Sequence, residues 1–177
     1  FSYNFLNKLS KFFNILTKRQ FPIIDIFFPT QAKHKYTNIV YNKKLTKKIV
    51  YFPSCVAKSM GTAVNDPDQE SIITTTTRVL NKCGYEVVFP YNHESLCCGT
   101  PFESKGYFQQ GNQKAYELED ALLKSSENGK LDIIFDTSPC LFRMRNFITK
   151  NIRIFDPIEF SYQYILPQIN CKFNKPI

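Results

Sequence analysis

The stretch Asp132-Ile-Ile-Phe-Asp-Thr-Ser-Pro-Cys140 decides how the chain is read. Its first four residues form a short apolar β-type run, Asp136 to Pro139 supply turn and helix-start chemistry, and a thiol follows at once. A short helix with Leu141, Met144 and Ile148 on one face continues from it. The order strand, cysteine, helix recurs upstream. Lys48-Ile-Val-Tyr-Phe52 is a strand run followed by Pro53-Ser54-Cys55, and Tyr85-Glu-Val-Val-Phe89 is a second, broken by Pro90 and followed by Cys97-Cys98. A fourth run, Ile152-Arg-Ile-Phe155, enters Asp156-Pro-Ile-Glu159, a capping box, and a helix that ends at Leu166 before Pro167. Asp66-Pro67 with Gln69 predicts another helix start, continued at helical spacing by Ile72, Ile73, Thr76, Val79, Leu80 and Cys83 and ended by Gly84. A helix from about Glu103 to Ser126 carries Phe108, Ala115, Leu118 and Leu122 on one face and ends at Asn128-Gly129. Strands alternating with helices predict an α/β fold, a four-strand, mostly parallel sheet with flanking helices.

This order gives the cysteines a meaning. In an open parallel sheet the carboxyl ends of the strands share one edge, and ligands bind in the crevice there. Cys55, Cys97, Cys98 and Cys140 all follow strand ends, so four thiols distant in sequence are expected to meet. The separations from Cys55 to Cys97 and from Cys98 to Cys140 are both 42 residues, room for a helix and a strand each time. Converging thiolates bind zinc, or iron in clusters with sulfide. Cys140 follows Pro139 at a helix start, where unpaired backbone N–H groups favour the thiolate. Gly99 permits backbone conformations that keep N–H groups near a cluster's sulfurs. Neighbouring side chains such as Cys97 and Cys98 tend to diverge, which suits a multi-iron cluster better than one tetrahedral zinc.

The chain has 177 residues, about one domain, with 43% hydrophobic and 21% charged residues, which excludes a disordered or fibrous protein. The net charge of +8 is unevenly placed: residues 1–48 hold ten basic side chains against Asp25 alone, a balance of +9, and the remainder sums to −1. Within that arm Phe5, Leu9, Phe12 and Leu16 recur at three- and four-residue steps among Lys8, Lys11, Lys18 and Arg19, predicting a basic amphipathic helix that Pro22 stops. Such a helix packs on other parts of a parent chain or lies on a membrane surface. No apolar run approaches the roughly 18 residues of a membrane span. No reader motif accompanies the arm and the body is acidic, so nucleic acid is not an expected partner. The start at Phe1 reads as a fragment or processed piece of a longer protein. Six cysteines without a secretory signature read as thiols, ligands or redox groups rather than disulfides.

Cys55, Leu96-Cys97-Cys98-Gly99 and Asp136-Thr-Ser-Pro-Cys140 together resemble the cysteine-rich CCG domain of heterodisulfide reductase subunits, glycolate and succinate-linked oxidoreductase subunits, and the C-terminus of FAD-linked D-lactate dehydrogenases. Val50-Tyr-Phe-Pro-Ser-Cys55, Gly84-Tyr-Glu-Val-Val-Phe-Pro90, Cys98-Gly-Thr-Pro-Phe-Glu-Ser-Lys-Gly106 and Phe155-Asp-Pro-Ile-Glu-Phe160 are most similar to the last branch. The likeness covers about residues 48–170, and the Pro-rich segment at 21–32 resembles the connection that precedes the domain. The resemblance implies an iron–sulfur electron-transfer module with Cys55, Cys97, Cys98 and Cys140 as ligands. Its partners would be flavin and ferredoxin-type domains and an electron acceptor. FAD would belong to the parent enzyme, which oxidises a 2-hydroxy acid; this chain shows neither the flavin nor the substrate site. The family pattern closes with Cys-x-x-Cys, whereas here Cys140-Leu-Phe precedes Arg143, leaving four ligands where five are found. A four-thiolate cluster, a noncubane cluster, a zinc staple and a degenerate half-site are the alternatives.

The expected organisation is an arm and linker at 1–48, the CCG domain at 49–170 and a tail at 171–177. The expected location is cytoplasmic, with peripheral contact to the inner membrane as a further expectation. Cys83 is expected in the core, Cys171 as a spectator, His93 as a surface loop residue, with a spare ligand or a hydrogen-bond donor near Cys97 as its alternatives, and His34 without a role. Arg143 and Arg145 are expected on a solvated helix face or beside a cluster's charge.

Overall fold

Period-two alternation within the apolar runs sets the core. In the computed structural model, residues 3–24, 29–31, 45, 47–63 and 66–168 are described. In chain order the elements are α1 (Tyr3–Leu16), β1 (Pro29–Gln31), β2 (Lys47–Phe52), α2 (Cys55–Ser59), β3 (Met60–Ala63), α3 (Ile72–Lys82), β4 (Tyr85–Val88), α4 (Thr100–Glu103), α5 (Phe108–Ser125), β5 (Ile133–Phe135), α6 (Ser138–Phe147), β6 (Ile154–Phe155) and α7 (Pro157–Phe160). A π-helical turn, Ser161–Ile165, and a 3-10 turn, Leu166–Gln168, extend α7.

The main sheet has the order β4-β2-β5-β6 with every pair parallel. Val50 lies opposite Val88 on one side and Ile133 on the other. Val50, Phe52, Ile133 and Phe135 face a core shared with Ala115, Leu118 and Leu122 of α5 and Leu141 and Met144 of α6. Ile49, Tyr51 and Ile134 face the opposite core, with Ile73 and Leu80 of α3 and Phe160 of α7. The two central strands are thus buried on both faces, as a parallel sheet with helices on each side requires. From β2 the chain crosses to β4, then returns past β2 to β5. The order therefore reverses between β2 and β5, and the crevice there lies at the carboxyl ends of both strands.

The expected α/β architecture is the observed one, with differences in detail. The helix expected from Glu103 to Ser126 is two, because Gly106 turns with φ of +84° between α4 and α5. Asp66 does not cap α3: its carboxylate accepts from the Asp68 N–H at 3.0 Å in a loop, and Ser71 is the cap, accepting from Thr74 N–H at 3.2 Å. The second capping box is present, with Asp156 and Glu159 each accepting from the other's backbone N–H. The helix of the arm ends at Leu16, before Pro22, where Lys18 and Arg19 adopt left-handed φ of 50° and 68°. An antiparallel pairing of β1 with β3 has no forecast in the sequence. His34, Cys171 and the tail at 171–177 lie outside the described residues.

Two glycines of nearly equal φ separate backbone freedom from close packing. Gly84, φ +88°, has open space where a Cβ would go, whereas a Cβ on Gly99, φ +86°, would overlap the Gly111 carbonyl of α5. Gly84→Ala is expected to lose about 1 kcal/mol for the left-handed backbone and Gly99→Ala about 3 kcal/mol or more for backbone and overlap together. Urea unfolding of the metal-free protein measures both, and equal losses would contradict the packing assigned to Gly99.

Candidate metal centre

Asp136, at the end of β5, joins the two turns that flank the crevice. Its Oδ1 accepts from Ser54 N–H at 2.9 Å and its Oδ2 from the Tyr51 hydroxyl at 3.0 Å. Burial pushes its carboxyl pKa up against the opposing pull of these donors. Ser54 then caps α2 by accepting from Ala57 N–H, which makes Cys55 the first residue of that helix. Across the crevice Cys140 stands in the first turn of α6, after Pro139. The carboxylate therefore ties together two of the thiol-bearing turns.

The loop carrying Cys97-Cys98 is shaped by its own turns, among them Leu96 N–H to His93 O at 3.3 Å, and two buried cations reach further carbonyls from either side. Lys58, 7% exposed, lies over the Phe52 ring and donates from Nζ to His93 O at 2.8 Å and Leu96 O at 2.7 Å. Arg143, 9% exposed, donates from Nε to Cys98 O at 2.7 Å and from a terminal nitrogen to Asn112 Oδ1 at 3.1 Å, and pairs with Glu103. Hydrogen bonds involving a charged group are worth about 1.5–3 kcal/mol each, so the loop is fixed from both ends. Gly99 follows as the left-handed start of α4, and its N–H points to Cys97 Sγ at 3.4 Å.

The result is a row of sulfurs. Cys55 and Cys97 Sγ lie 3.6 Å apart and Cys98 and Cys140 Sγ 3.1 Å apart, while Cys97 and Cys98 also interact. Each close pair shares a proton unequally. The hydrogen bond with Cys97 draws the Cys55 pKa down to about 6, aided by the charge of Lys58 and opposed by burial. The same bond, one with Cys98 and burial push Cys97 up. Bonds with Cys140, Cys97 and the Thr100 hydroxyl hold Cys98 well below the ordinary thiol range, and the bond with Cys98, together with burial, raises Cys140. Among the described residues, no three Cys, His, Asp or Glu side chains form a cage for a single ion. A cavity of about 550 Å³ opens beside Cys55 and Cys97, between Lys58, Ser59 and Glu94, whereas Cys98 is 1% exposed.

The other candidates separate from this row. Cys83 caps α3 ahead of β4, at the opposite sheet edge, packs against the core, and has its pKa raised by burial. The His93 ring stacks on Phe89, and the residue's link to the site is its carbonyl, through Lys58. Arg145 is the solvated arginine, paired with Glu159, whereas Arg143 is built into the site. Nothing in the sequence marks Lys58 as part of the site, and Asp136 reads there as turn and helix-start chemistry, not as a bridge to Ser54 and Tyr51.

Comparison with family models matches residues 49–145 to the CCG cysteine-rich domain, a span that runs from β2 through α6 and includes all four thiols. The chain belongs to this family. Comparison with curated proteins and with solved structures gives no match. CCG domains are cysteine-rich modules typical of iron–sulfur oxidoreductase subunits, which supports a redox role in coarse terms.

The donor set of this CCG domain fits an iron–sulfur group by its chemistry. It offers four sulfurs on one edge, a backbone N–H on one of them, the Lys58 cation favouring the Cys55 thiolate, and Arg143 holding the backbone of Cys98. Arg143, three residues after Cys140, spends its donors on Cys98 O, Asn112 and Glu103.

A pH profile tests the electrostatics of the row. In the reduced, metal-free protein, alkylation of Cys55 by iodoacetamide, followed on its peptide by mass spectrometry, is expected to have a midpoint near pH 6. Lys58→Met removes a charge that favours the thiolate, so the midpoint moves upward, toward the ordinary value of about 8.5. An ordinary midpoint in the unaltered protein, or none of this shift in the variant, would contradict the geometry.

Proposed function

We propose that the chain is the iron–sulfur electron-transfer module of a FAD-linked D-lactate dehydrogenase-type oxidoreductase, with Cys55, Cys97, Cys98 and Cys140 as the cluster's ligands. The observation that carries the reading is the row of four thiols at the sheet's carboxyl edge, its central loop held by the buried cations Lys58 and Arg143. A cluster held there would supply one-electron acceptance and release.

The chain's own residues do the rest. Asp136 fixes the turn before Cys55, Lys58 and Arg143 fix the loop of Cys97 and Cys98, and the Lys58 charge favours the thiolate at Cys55. Gly99 N–H stabilises negative charge on Cys97 Sγ. The buried Cys98 faces the core, and the cavity beside Cys55 and Cys97 offers the side on which a redox partner approaches. Oxidation of a 2-hydroxy acid belongs in this reading to a flavin domain elsewhere, with ferredoxin-type centres between, and the acceptor is a quinone or cytochrome. Because Arg143 is committed to three partners, the reading is a four-thiolate cluster rather than a five-cysteine noncubane one. Peripheral association with a membrane, where quinones reside, is part of the same reading.

Anaerobic reconstitution tests it. The expected product is a brown protein with iron and sulfide in cluster stoichiometry and an EPR signal on reduction. Cys97→Ser and Cys98→Ser abolish the signal, while Cys83→Ser keeps it. Colourless protein holding a single zinc would overturn the reading in favour of a structural staple.

A further inference from the structure

Helix α1 packs the wrong way round for a helix that belongs to a core. Amphipathic helices of globular proteins turn the apolar stripe inward. In α1 it is the polar seam of Asn7, Ser10 and Asn14 that is covered, by residues 21–24 of its own chain. Asn7 Nδ2 donates to Ile24 O at 2.6 Å, Ile24 N–H donates to Ser10 Oγ at 3.0 Å, and Asn14 Nδ2 donates to Phe21 O. Ser10 is 3% exposed, while Leu9, Phe12 and Leu16 on the apolar stripe are 40%, 61% and 67% exposed. The hairpin thus satisfies its polar groups internally and turns its apolar stripe outward.

Charge tells what suits that stripe. Residues 1–24 contain Lys8, Lys11, Lys18 and Arg19 and no Asp or Glu. Lys8 and Lys11 are exposed on the helix, and Lys18 and Arg19 lie in the turn after it. At 14 residues α1 is about 21 Å long, and among the described residues no helix is long and apolar enough to cross a membrane. An apolar stripe rich in Phe and Leu, bordered only by cations, on a short helix complements a surface that is apolar beneath and anionic above. We infer that α1 lies in the plane of an anionic lipid bilayer, with Leu9, Phe12 and Leu16 entering the acyl boundary and the four cations meeting lipid phosphates. This deepens the peripheral-association part of the proposed function, and it is testable without a cluster.

The test is flotation of the full chain, reduced and metal-free, with vesicles of phosphatidylcholine alone or mixed with phosphatidylglycerol. Binding is expected on the mixed vesicles, to weaken with salt, and to fall about tenfold on phosphatidylcholine alone. Leu9→Asp with Phe12→Asp is expected to lower it by about tenfold or more, while circular dichroism and cluster reconstitution stay unchanged. Equal binding to both vesicles, binding indifferent to the double substitution, or no binding would overturn the inference. So would self-association through the stripe, read by sedimentation velocity and lost in the same variant. Because reconstitution is scored separately, failure of lipid binding leaves the redox reading standing, and failure of reconstitution leaves the lipid result standing.

Discussion

Two buried cations reach backbone carbonyls of the thiol loop from both sides, and the rest of the site depends on that contact. The loop between β4 and α4 leaves the sheet and returns over its edge, so it has no ladder partners. A buried carbonyl without a donor costs roughly 1–3 kcal/mol. Lys58 from α2 and Arg143 from α6 supply the donors at His93, Leu96 and Cys98. The helices that provide the cations are the helices whose first turns carry the other thiols, Cys55 and Cys140. One set of contacts therefore fixes the loop, brings three segments together and sets positive charge beside sulfur. Burying a cation is costly when it is left alone, and here each has at least two acceptors.

The same economy of position appears in the backbone. Gly99 and Gly111 let the loop and α5 touch where any side chain would separate them, and a Cβ at Gly111 would also press on the Arg143 guanidinium. Asp136 gives the opposite wall its rigidity by bridging β2 and the turn after it. The sulfur row lies where the strand order reverses, the place in an open parallel sheet where neighbouring loops diverge and leave a crevice.

The strands are legible in the sequence because their β-branched and aromatic runs end at Pro53, Pro90 and Asp136, and the cysteines are legible because they follow those ends. What is not legible has physical reasons. Gly106 interrupts a helical period that continues correctly on either side, so two helices read as one. Asp66-Pro67 offers the same carboxylate chemistry to a loop as to a helix start, and only packing chooses Ser71. β1 and β3 have three and four residues, too few for a period to show. Lys58 and Arg143 sit on short helices where a charge normally reads as solvent-facing, and their acceptors are 31 to 45 residues away. The composition of the arm shows a basic amphipathic helix, but which of its faces is covered depends on the hydrogen bonds of residues 21–24.

The central claim is that the fold alone, through Lys58, Arg143 and Asp136, assembles the four thiols in a defined row. Brief oxidation of the metal-free protein with diamide, which takes two electrons and two protons from each thiol pair, followed by peptide mapping, tests it most directly. The first linkages are expected to be Cys55 to Cys97 and Cys98 to Cys140, the pairs at 3.6 Å and 3.1 Å. Linkages dominated by Cys83, or by the adjacent Cys97 and Cys98, would contradict it.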